Sequence, residues 1–172
     1  FTITDEVKNP DAIILRSFKM HDMELGDNLK CVARAGAGTN NIPIDKCSEM
    51  GVVVFNTPGA NANAVVELTI AGLLLASRKI TESIDWAKGL KGEGDNVGAL
   101  VEKGKGAFAG PEIAGKKLAV AGLGAIGAKV AIIAQALGMT VVGYDPFISE
   151  EAKKNLGNVE IKTELKELFS DC

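Results

Sequence analysis

Three glycines in the second half of the chain have the spacing that lets a backbone approach a phosphate closely. They belong to the segment 122–127 (G-L-G-A-I-G), which follows an apolar run, 117–121, and precedes an apolar-periodic stretch. A strand before G-x-G-x-x-G and a helix after it are the context that makes this motif informative. In that context Gly122 permits a tight turn, Gly124 admits a diphosphate, and Gly127 lets the helix pack closely on the strand.

The start of the predicted helix supplies groups that bind anions. Backbone N–H groups there, including those of Ala125 and Ile126, have no helical acceptor, and the helix dipole adds positive potential. A second predicted strand, 140–144, ends at Asp145, eighteen residues past the last glycine. A carboxylate there accepts hydrogen bonds from ribose hydroxyls and repels a 2′-phosphate. The segment therefore predicts a site for NAD rather than NADP, the alternative being a βαβ turn that is only packed.

The first half of the chain alternates short strands with a short helix. Strands are predicted at 12–15, 31–34 and 52–55, the first of them buried, and a helix over 44–50 precedes the third strand and ends at Gly51. Such alternation indicates a parallel α/β sheet.

Two segments between these halves predict contrasting structures. Residues 63–80 are apolar nearly all round and predict one long helix, covered on most sides by another domain or subunit. Residues 89–110 contain seven glycines and predict an irregular excursion or a flexible connection.

The composition excludes several classes of protein. The chain has 172 residues, 47% hydrophobic, with a net charge of -3, so no basic field exists for nucleic acid. The longest uncharged apolar run, 68–76, is too short to cross a bilayer, and no signal segment opens the chain. The widely spaced Cys31, Cys47 and Cys172 fit neither a disulfide framework nor a metal site. We expect reduced thiols in a cytoplasmic protein, and a start at Phe1 suggests a fragment.

Six segments, in order and spacing, resemble the D-isomer-specific 2-hydroxyacid dehydrogenases, and most closely those that oxidise a phosphorylated substrate. The segments are 15–17 (L-R-S), 34–42 (R-A-G-A-G-T-N-N-I), 54–59 (V-F-N-T-P-G), 67–69 (E-L-T), 122–127 and 143–146 (G-Y-D-P). The resemblance implies an α/β fold with a Rossmann-like parallel sheet in an NAD-binding domain, residues 57–172. It also implies a smaller flavodoxin-like substrate-binding domain, residues 1–56, with both domains incomplete.

The resemblance also implies roles for the loop after the second strand. Backbone N–H groups of the loop Arg34 to Gly38 would hold the carboxylate of a 2-oxo acid, with Arg34, Ala35 and Gly36 on the substrate and Ala37 near the cofactor. Asn56 would lie in the cleft near substrate and nicotinamide, or else serve only as a turn former before proline.

Arg16 and Ser17 resemble the pair that reaches the substrate's phosphate, for which the planar fork of arginine is well suited. A surface salt bridge is the alternative role for Arg16. The resemblance also suggests Lys19 and Arg34 as helpers at the phosphate, but Lys19 is expected to be an ordinary solvated side chain.

The family's catalytic arginine, glutamate and histidine are expected after residue 172, so the present chain is predicted to bind without turnover. His21 does not match the catalytic motif and is expected in an exposed loop. Glu67 is expected to form a structural cap or pair at the domain junction rather than to act in catalysis. Ala125 stands where many relatives carry arginine, which removes a side-chain contact to phosphate.

Three other functions stay open at this point. They are oxidation of an unphosphorylated D-2-hydroxy acid, an NAD-sensing corepressor without catalysis, and a Rossmann domain for a methyl donor or flavin, which Asp145 and Pro146 disfavour. The apolar helix 63–80 and the resemblance together predict a homodimer, with no nucleic-acid or membrane partner.

Overall fold

The computed structural model describes residues 2–5 and 8–170, which form two compact units, Phe1–Asn61 and Ala62–Cys172. Each unit contains a three-stranded parallel sheet. The predicted α/β class with parallel strands is therefore confirmed. Cys172, predicted to be a reduced thiol, lies outside the described residues, whereas Cys31 and Cys47 are free thiols.

The first unit has the predicted strands and helix in the predicted order. Its elements are β1 (Ala12–Leu15), β2 (Cys31–Arg34), α1 (Ile44–Glu49) and β3 (Val53–Phe55). The strands lie in the order β1-β2-β3, and Gly51 follows α1 with a φ of 70°. Because parallel strands need a crossover connection, the carboxyl ends of all three strands meet at one edge of the sheet.

The core of the first unit lies on one face of its sheet. Met20, Val32 and Cys47 are fully buried there, and burial raises the pKa of the Cys47 thiol. On the opposite face Ile14 is 84% exposed and Phe55 is 56% exposed. The prediction that β1 is buried is therefore wrong for half its side chains, since successive side chains of a strand point to opposite faces.

The second unit begins with helices and continues with the predicted βαβ crossover. Its main elements are α2 (Ala62–Arg78), α3 (Ile80–Gly89), α4 (Val97–Gly104), β4 (Lys117–Ala121), α5 (Gly127–Ala136), β5 (Thr140–Tyr144), α6 (Glu150–Lys154) and β6 (Glu160–Ile161). Short 3-10 turns occupy Gly94–Asn96, Lys105–Phe108 and Leu165–Leu168. The sheet order is β4-β5-β6, and β6 was not predicted because it has only two residues.

The long apolar helix ends earlier than predicted. Lys79 adopts a left-handed conformation with a φ of 46°, so α2 ends at Arg78 and α3 starts at Ile80. Lys79 Nζ donates to the carbonyl of Ala107 at 3.2 Å, which ties the end of α2 to the returning chain. In the part of the chain that the structure describes, no helix is both long and apolar enough to cross a membrane.

The prediction that residues 89–110 are irregular is wrong, because α4 and two 3-10 turns occupy most of this segment. The ring centroids of Trp86, in α3, and Phe108, in the 3-10 turn after α4, lie 5.1 Å apart. This contact packs α3 and α4 together as one lobe. A Cβ on Gly104 would lie 2.5 Å from Trp86 Cζ2. Gly104 therefore permits a close approach of α4 to the Trp86 ring, although the many glycines of this segment suggested flexibility.

A pair of glycine-to-alanine substitutions tests whether the segment 89–110 is packed rather than flexible. A methyl group on Gly110 would collide with the carbonyl oxygen of Ser77, whereas Gly98 lies in α4 with open space around it. We expect Gly110→Ala to destabilise the protein by about 1–3 kcal/mol. Gly98→Ala should stabilise it by about 0.5–1 kcal/mol. Thermal unfolding of the full-length protein measures both, and a shift of the same sign for the two variants would contradict the packing.

Candidate dinucleotide site

The glycine turn of the second unit lies where two parallel strands end. β4 and β5 pair in register up to Ala121 and Tyr144, and Gly122 follows with a φ of 88°. The N–H of Gly122 donates to the carbonyl of Tyr144 at 2.7 Å. A side chain would be strained at this φ, so the turn at the carboxyl end of the sheet requires glycine at its first position.

The other two glycines of the motif serve different purposes. A Cβ on Gly127 would collide with the carbonyl oxygen of Gly122 and lie 3.2 Å from Val120 Cγ1. Close packing of α5 on β4 therefore depends on Gly127. A Cβ on Gly124 would have no atom within 4 Å, which leaves open space beside the turn.

The start of α5 presents unpaired backbone donors. Among the described residues, the N–H groups of Gly124, Ala125 and Ile126 have no acceptor, and the N–H of Ala128 makes the bond to Gly124 O at 3.0 Å. Gly124, Ala125 and Ile126 are all exposed. Three N–H groups without an acceptor at the positive end of a ten-residue helix have the geometry and polarity that favour an anion.

Asp145 joins the end of β5 to this turn. Its Oδ2 accepts from the N–H of Leu123 at 2.9 Å, and its Oδ1 accepts from the N–H of Phe147 at 2.9 Å. Each carboxylate oxygen has two lone pairs, so both can still accept a hydrogen bond from a ligand hydroxyl. The carboxylate therefore stands in a defined position beside the free N–H groups, as the NAD prediction requires.

The side chain of Leu123 holds its own N–H in place. Leu123 is buried in the core of the second unit, together with Val120, Ala131 and Val141. A Cβ on Gly143 would lie 2.8 Å from Leu123 Cδ1, so the leucine packs directly on the backbone of β5. The orientation of the hydrogen bond to Asp145 thus follows from apolar packing.

The loop predicted to hold the substrate lies in the first unit, at the carboxyl end of β2. The N–H of Ala35 donates to the carbonyl of Leu15 at 2.8 Å, and that of Gly36 donates to the carbonyl of Arg34 at 2.9 Å. Within residues 8–170, the N–H groups of Ala37 and Gly38 have no acceptor. The free donors therefore lie at Ala37 and Gly38, within the predicted loop 34–38, while those of Ala35 and Gly36 are bonded within the unit.

Two polar side chains shape this loop from inside. Arg34 Nε donates to the carbonyl of Arg16 at 3.0 Å, and an Nη of Arg34 donates to the carbonyl of Gly38. Asn56 Nδ2 donates to the carbonyl of Ala37 at 2.7 Å. In this structure Arg34 and Asn56 brace the loop backbone.

The side chains of Arg16 and Ser17 are exposed at the end of β1. Neither makes a hydrogen bond or ion pair with another described residue, so the salt bridge considered for Arg16 is not formed. The guanidinium of Arg16 is therefore available to an anion.

His21 and Glu67 have local partners. His21 is exposed, and its Nε2 lies 3.0 Å from the carbonyl oxygen of Asn40. Glu67 accepts from Asn63 Nδ2 at 2.6 Å within α2.

Sequence reasoning assigned no role to Asn41, although the residue stands in the quoted motif. It is the buried polar residue of the described core, 7% exposed, and it bonds to the segment that carries Arg16 and Ser17. An asparagine next to apolar Ile42 was the available signal, because a buried amide must find partners.

A family model described as the D-isomer specific 2-hydroxyacid dehydrogenase catalytic domain matches residues 2–167. The chain belongs to this family. Similar relatives include the D-3-phosphoglycerate dehydrogenases of Methanocaldococcus jannaschii, 35% identical over 96% of this chain, and Archaeoglobus fulgidus, 38% identical over 88%. The hydroxypyruvate reductase of Thermotoga maritima is 39% identical over 79% of this chain and 42% of its own length.

Solved structures of other family members share the fold. The NAD+-bound 3-phosphoglycerate dehydrogenase of Entamoeba histolytica is 32% identical, with a TM-score of 0.67 over 96% of the present chain and 45% of the Entamoeba chain. A D-mandelate dehydrogenase of Rhodotorula graminis is 29% identical, with a TM-score of 0.69 over 93% of this chain and 48% of its own. The chain spans 30% and 27% of the two D-3-phosphoglycerate dehydrogenases above.

Substitution of Gly124 separates binding from folding. Because the position is open, Gly124→Val should change the melting temperature little, while its side chain excludes the diphosphate from the free N–H groups. We expect the Kd for NADH, measured by fluorescence titration of the full-length protein, to rise at least about tenfold. Gly127→Ala is the matched control and should lower the melting temperature. Unchanged NADH affinity in Gly124→Val would place the dinucleotide elsewhere.

Proposed function

We propose that the full-length protein containing this chain oxidises 3-phospho-D-glycerate to 3-phosphohydroxypyruvate with NAD, the first step of serine biosynthesis. The observation that carries the proposal is the row of free N–H groups at Gly124, Ala125 and Ile126 beside the fixed carboxylate of Asp145. The family match and the relatives called D-3-phosphoglycerate dehydrogenase support this substrate.

NAD is the cofactor that the family and the NAD+-bound relative support. In the proposed site the amides at the start of α5 hold the diphosphate, and Asp145 accepts from the adenosine ribose. The cofactor residues are Ala37, Gly122, Gly124, Ala125, Ile126, Gly127 and Asp145. Residues 57–172 would then belong to the NAD-binding domain and residues 1–56 to the substrate-binding domain.

The substrate is proposed to bind through the residues predicted from the sequence. These are Arg16, Ser17, Arg34, Ala35, Gly36 and Asn56. Arg16 and Ser17 would bind the phosphate, because both side chains are exposed and without partners among the described residues. Arg34 and Asn56 would act by bracing the loop, while the free N–H groups at Ala37 and Gly38 would supply the donors, because those of Ala35 and Gly36 are already bonded.

The chemistry is transfer of a hydride from the carbon bearing the hydroxyl group to the nicotinamide, with loss of the hydroxyl proton to a base. The residues of this chain would bind and orient cofactor and substrate for that step. The arginine, glutamate and histidine that the resemblance implies are proposed to lie outside residues 1–172. We also propose a cytoplasmic location.

A second candidate is reduction of an unphosphorylated 2-oxo acid. The 39% identity to the Thermotoga maritima hydroxypyruvate reductase favours it, since this is as high as the identity to any relative described above. The two functions differ in whether a phosphate must be bound, so 3-phosphohydroxypyruvate and hydroxypyruvate are the discriminating pair of substrates. NADH oxidation by the full-length protein with each compound decides between them.

Substitution of Arg16 tests the phosphate contact. Removal of a charge-assisted hydrogen bond costs about 1.5–3 kcal/mol, so Arg16→Ala should lower kcat/KM for 3-phosphohydroxypyruvate about tenfold to 100-fold. Turnover of hydroxypyruvate should change less than about twofold, because it lacks the group that Arg16 binds.

Lys19→Ala is the matched control, since Lys19 is an exposed cation three residues away in sequence. It should leave the preference for the phosphorylated substrate unchanged. An equal loss for both substrates in Arg16→Ala would remove Arg16 from the phosphate site.

We further propose that the protein forms a homodimer through α2. This helix buries Ala62 and Val66 within its own unit, whereas Leu68 is 74% exposed and Leu75 is 42% exposed. An apolar helix face of this kind needs cover, and a second copy supplies the same apolar chemistry by symmetry.

A charge on this face tests the dimer. Leu68→Glu should convert the full-length protein to a monomer, because an unpaired carboxylate is costly to bury in an apolar interface. Phe169→Glu is the matched control, since Phe169 is 71% exposed outside α2. Light scattering measures the mass, and an unchanged dimer in Leu68→Glu, or a monomeric unsubstituted protein, would contradict the proposal.

A further inference from the structure

The segment that carries Arg16 and Ser17 is joined to Asn41 by three hydrogen bonds. Asn41 Nδ2 donates to the carbonyl of Phe18 at 2.7 Å and to that of Arg16 at 3.3 Å. In the opposite direction, the N–H of Met20 donates to the carbonyl of Asn41 at 2.9 Å. The two carbonyls that Asn41 binds belong to the residues before and after Ser17, so the side chain clamps the chain at Arg16 and at Phe18.

The orientation of the Asn41 amide follows from its neighbours. Both groups facing it are carbonyls, so only the NH2 end can point toward them. The other end, Oδ1, is buried and has no partner among the described residues. A buried acceptor without a donor is destabilising, so stability alone is a poor reason for an asparagine here.

The same clamp reaches the loop after β2. The carbonyl of Arg16 accepts from Arg34 Nε as well as from Asn41, and Arg34 also bonds to the carbonyl of Gly38. Arg16, Ser17 and the loop 35–38 are therefore connected through backbone carbonyls. These hydrogen bonds to backbone carbonyls, and not contacts between exposed side chains, fix the distance between the side chains of Arg16 and Ser17 and the free N–H groups of the loop.

We propose that Asn41 is a positioning residue for the phosphate group of the substrate. It touches no substrate atom; it holds the carbonyls of Arg16 and Phe18 so that the side chains of Arg16 and Ser17 leave the backbone in the direction of one anion. This inference rests on the proposed function. Misplacement of binding groups by a fraction of their reach weakens binding of the group concerned, while the rest of the substrate is unaffected.

Asn41→Leu in the full-length protein tests the inference, because leucine has a similar size and no donor. We expect kcat/KM for 3-phosphohydroxypyruvate to fall roughly tenfold, chiefly through KM, and that for hydroxypyruvate to fall less than about twofold. Val32→Ala is the control, since Val32 is fully buried in the core of the same unit and its apolar side chain cannot donate to a carbonyl. It should lower the melting temperature without changing the ratio of the two kcat/KM values.

An equal loss for both substrates in Asn41→Leu, or an unchanged ratio, would overturn the positioning role. If Asn41→Leu does not fold, Asn41→Ser keeps one donor and should still reduce the ratio at least about threefold; an unchanged ratio would overturn the role equally. Arg16→Ala distinguishes the two proposals. A selective loss in Arg16→Ala without one at Asn41 refutes only the positioning role, whereas no selective loss in Arg16→Ala refutes the phosphate site itself.

Discussion

The hydrogen bond from the N–H of Leu123 to the carboxylate of Asp145 determines the form of the candidate dinucleotide site. It joins the turn after β4 to the end of β5, two points separated by the whole of α5 along the chain. Because Leu123 is anchored in the core and Gly127 lets α5 approach the strand, the free N–H groups and the carboxylate keep their separation before any ligand arrives. Groups held in advance bind without an added cost of ordering.

In the first unit the side chains that fix the backbone are donors rather than acceptors. There, side-chain donors on Arg34, Asn41 and Asn56 bind backbone carbonyls of two neighbouring segments. Carbonyls that are held in this way turn the intervening N–H groups and side chains outward, where an anion can reach them. In both units a buried or braced polar group determines the geometry, and exposed groups nearby are left to bind.

The lobe formed by α3 and α4 shows how glycine can mislead a sequence-based interpretation. Its glycines suggested flexibility, yet the one at residue 104 allows close contact with Trp86. A glycine that relieves a close contact and a glycine that loosens a loop have the same appearance in a sequence. Only the neighbour that occupies the missing Cβ position distinguishes them.

The parallel α/β class, the bounds of β1, β2, β4 and β5, and the pairing of the glycine turn with Asp145 could be predicted from the sequence, because these depend on local periodicity and spacing. The family likewise followed from motif order. The tertiary structure was needed to show that α2 breaks at Lys79, that Arg34 bonds to the carbonyl of Arg16, and that Asn41 holds the carbonyls of Arg16 and Phe18. Each of these features depends on a partner far away in sequence, and a local pattern carries no information about which distant atom will satisfy a donor or fill a space.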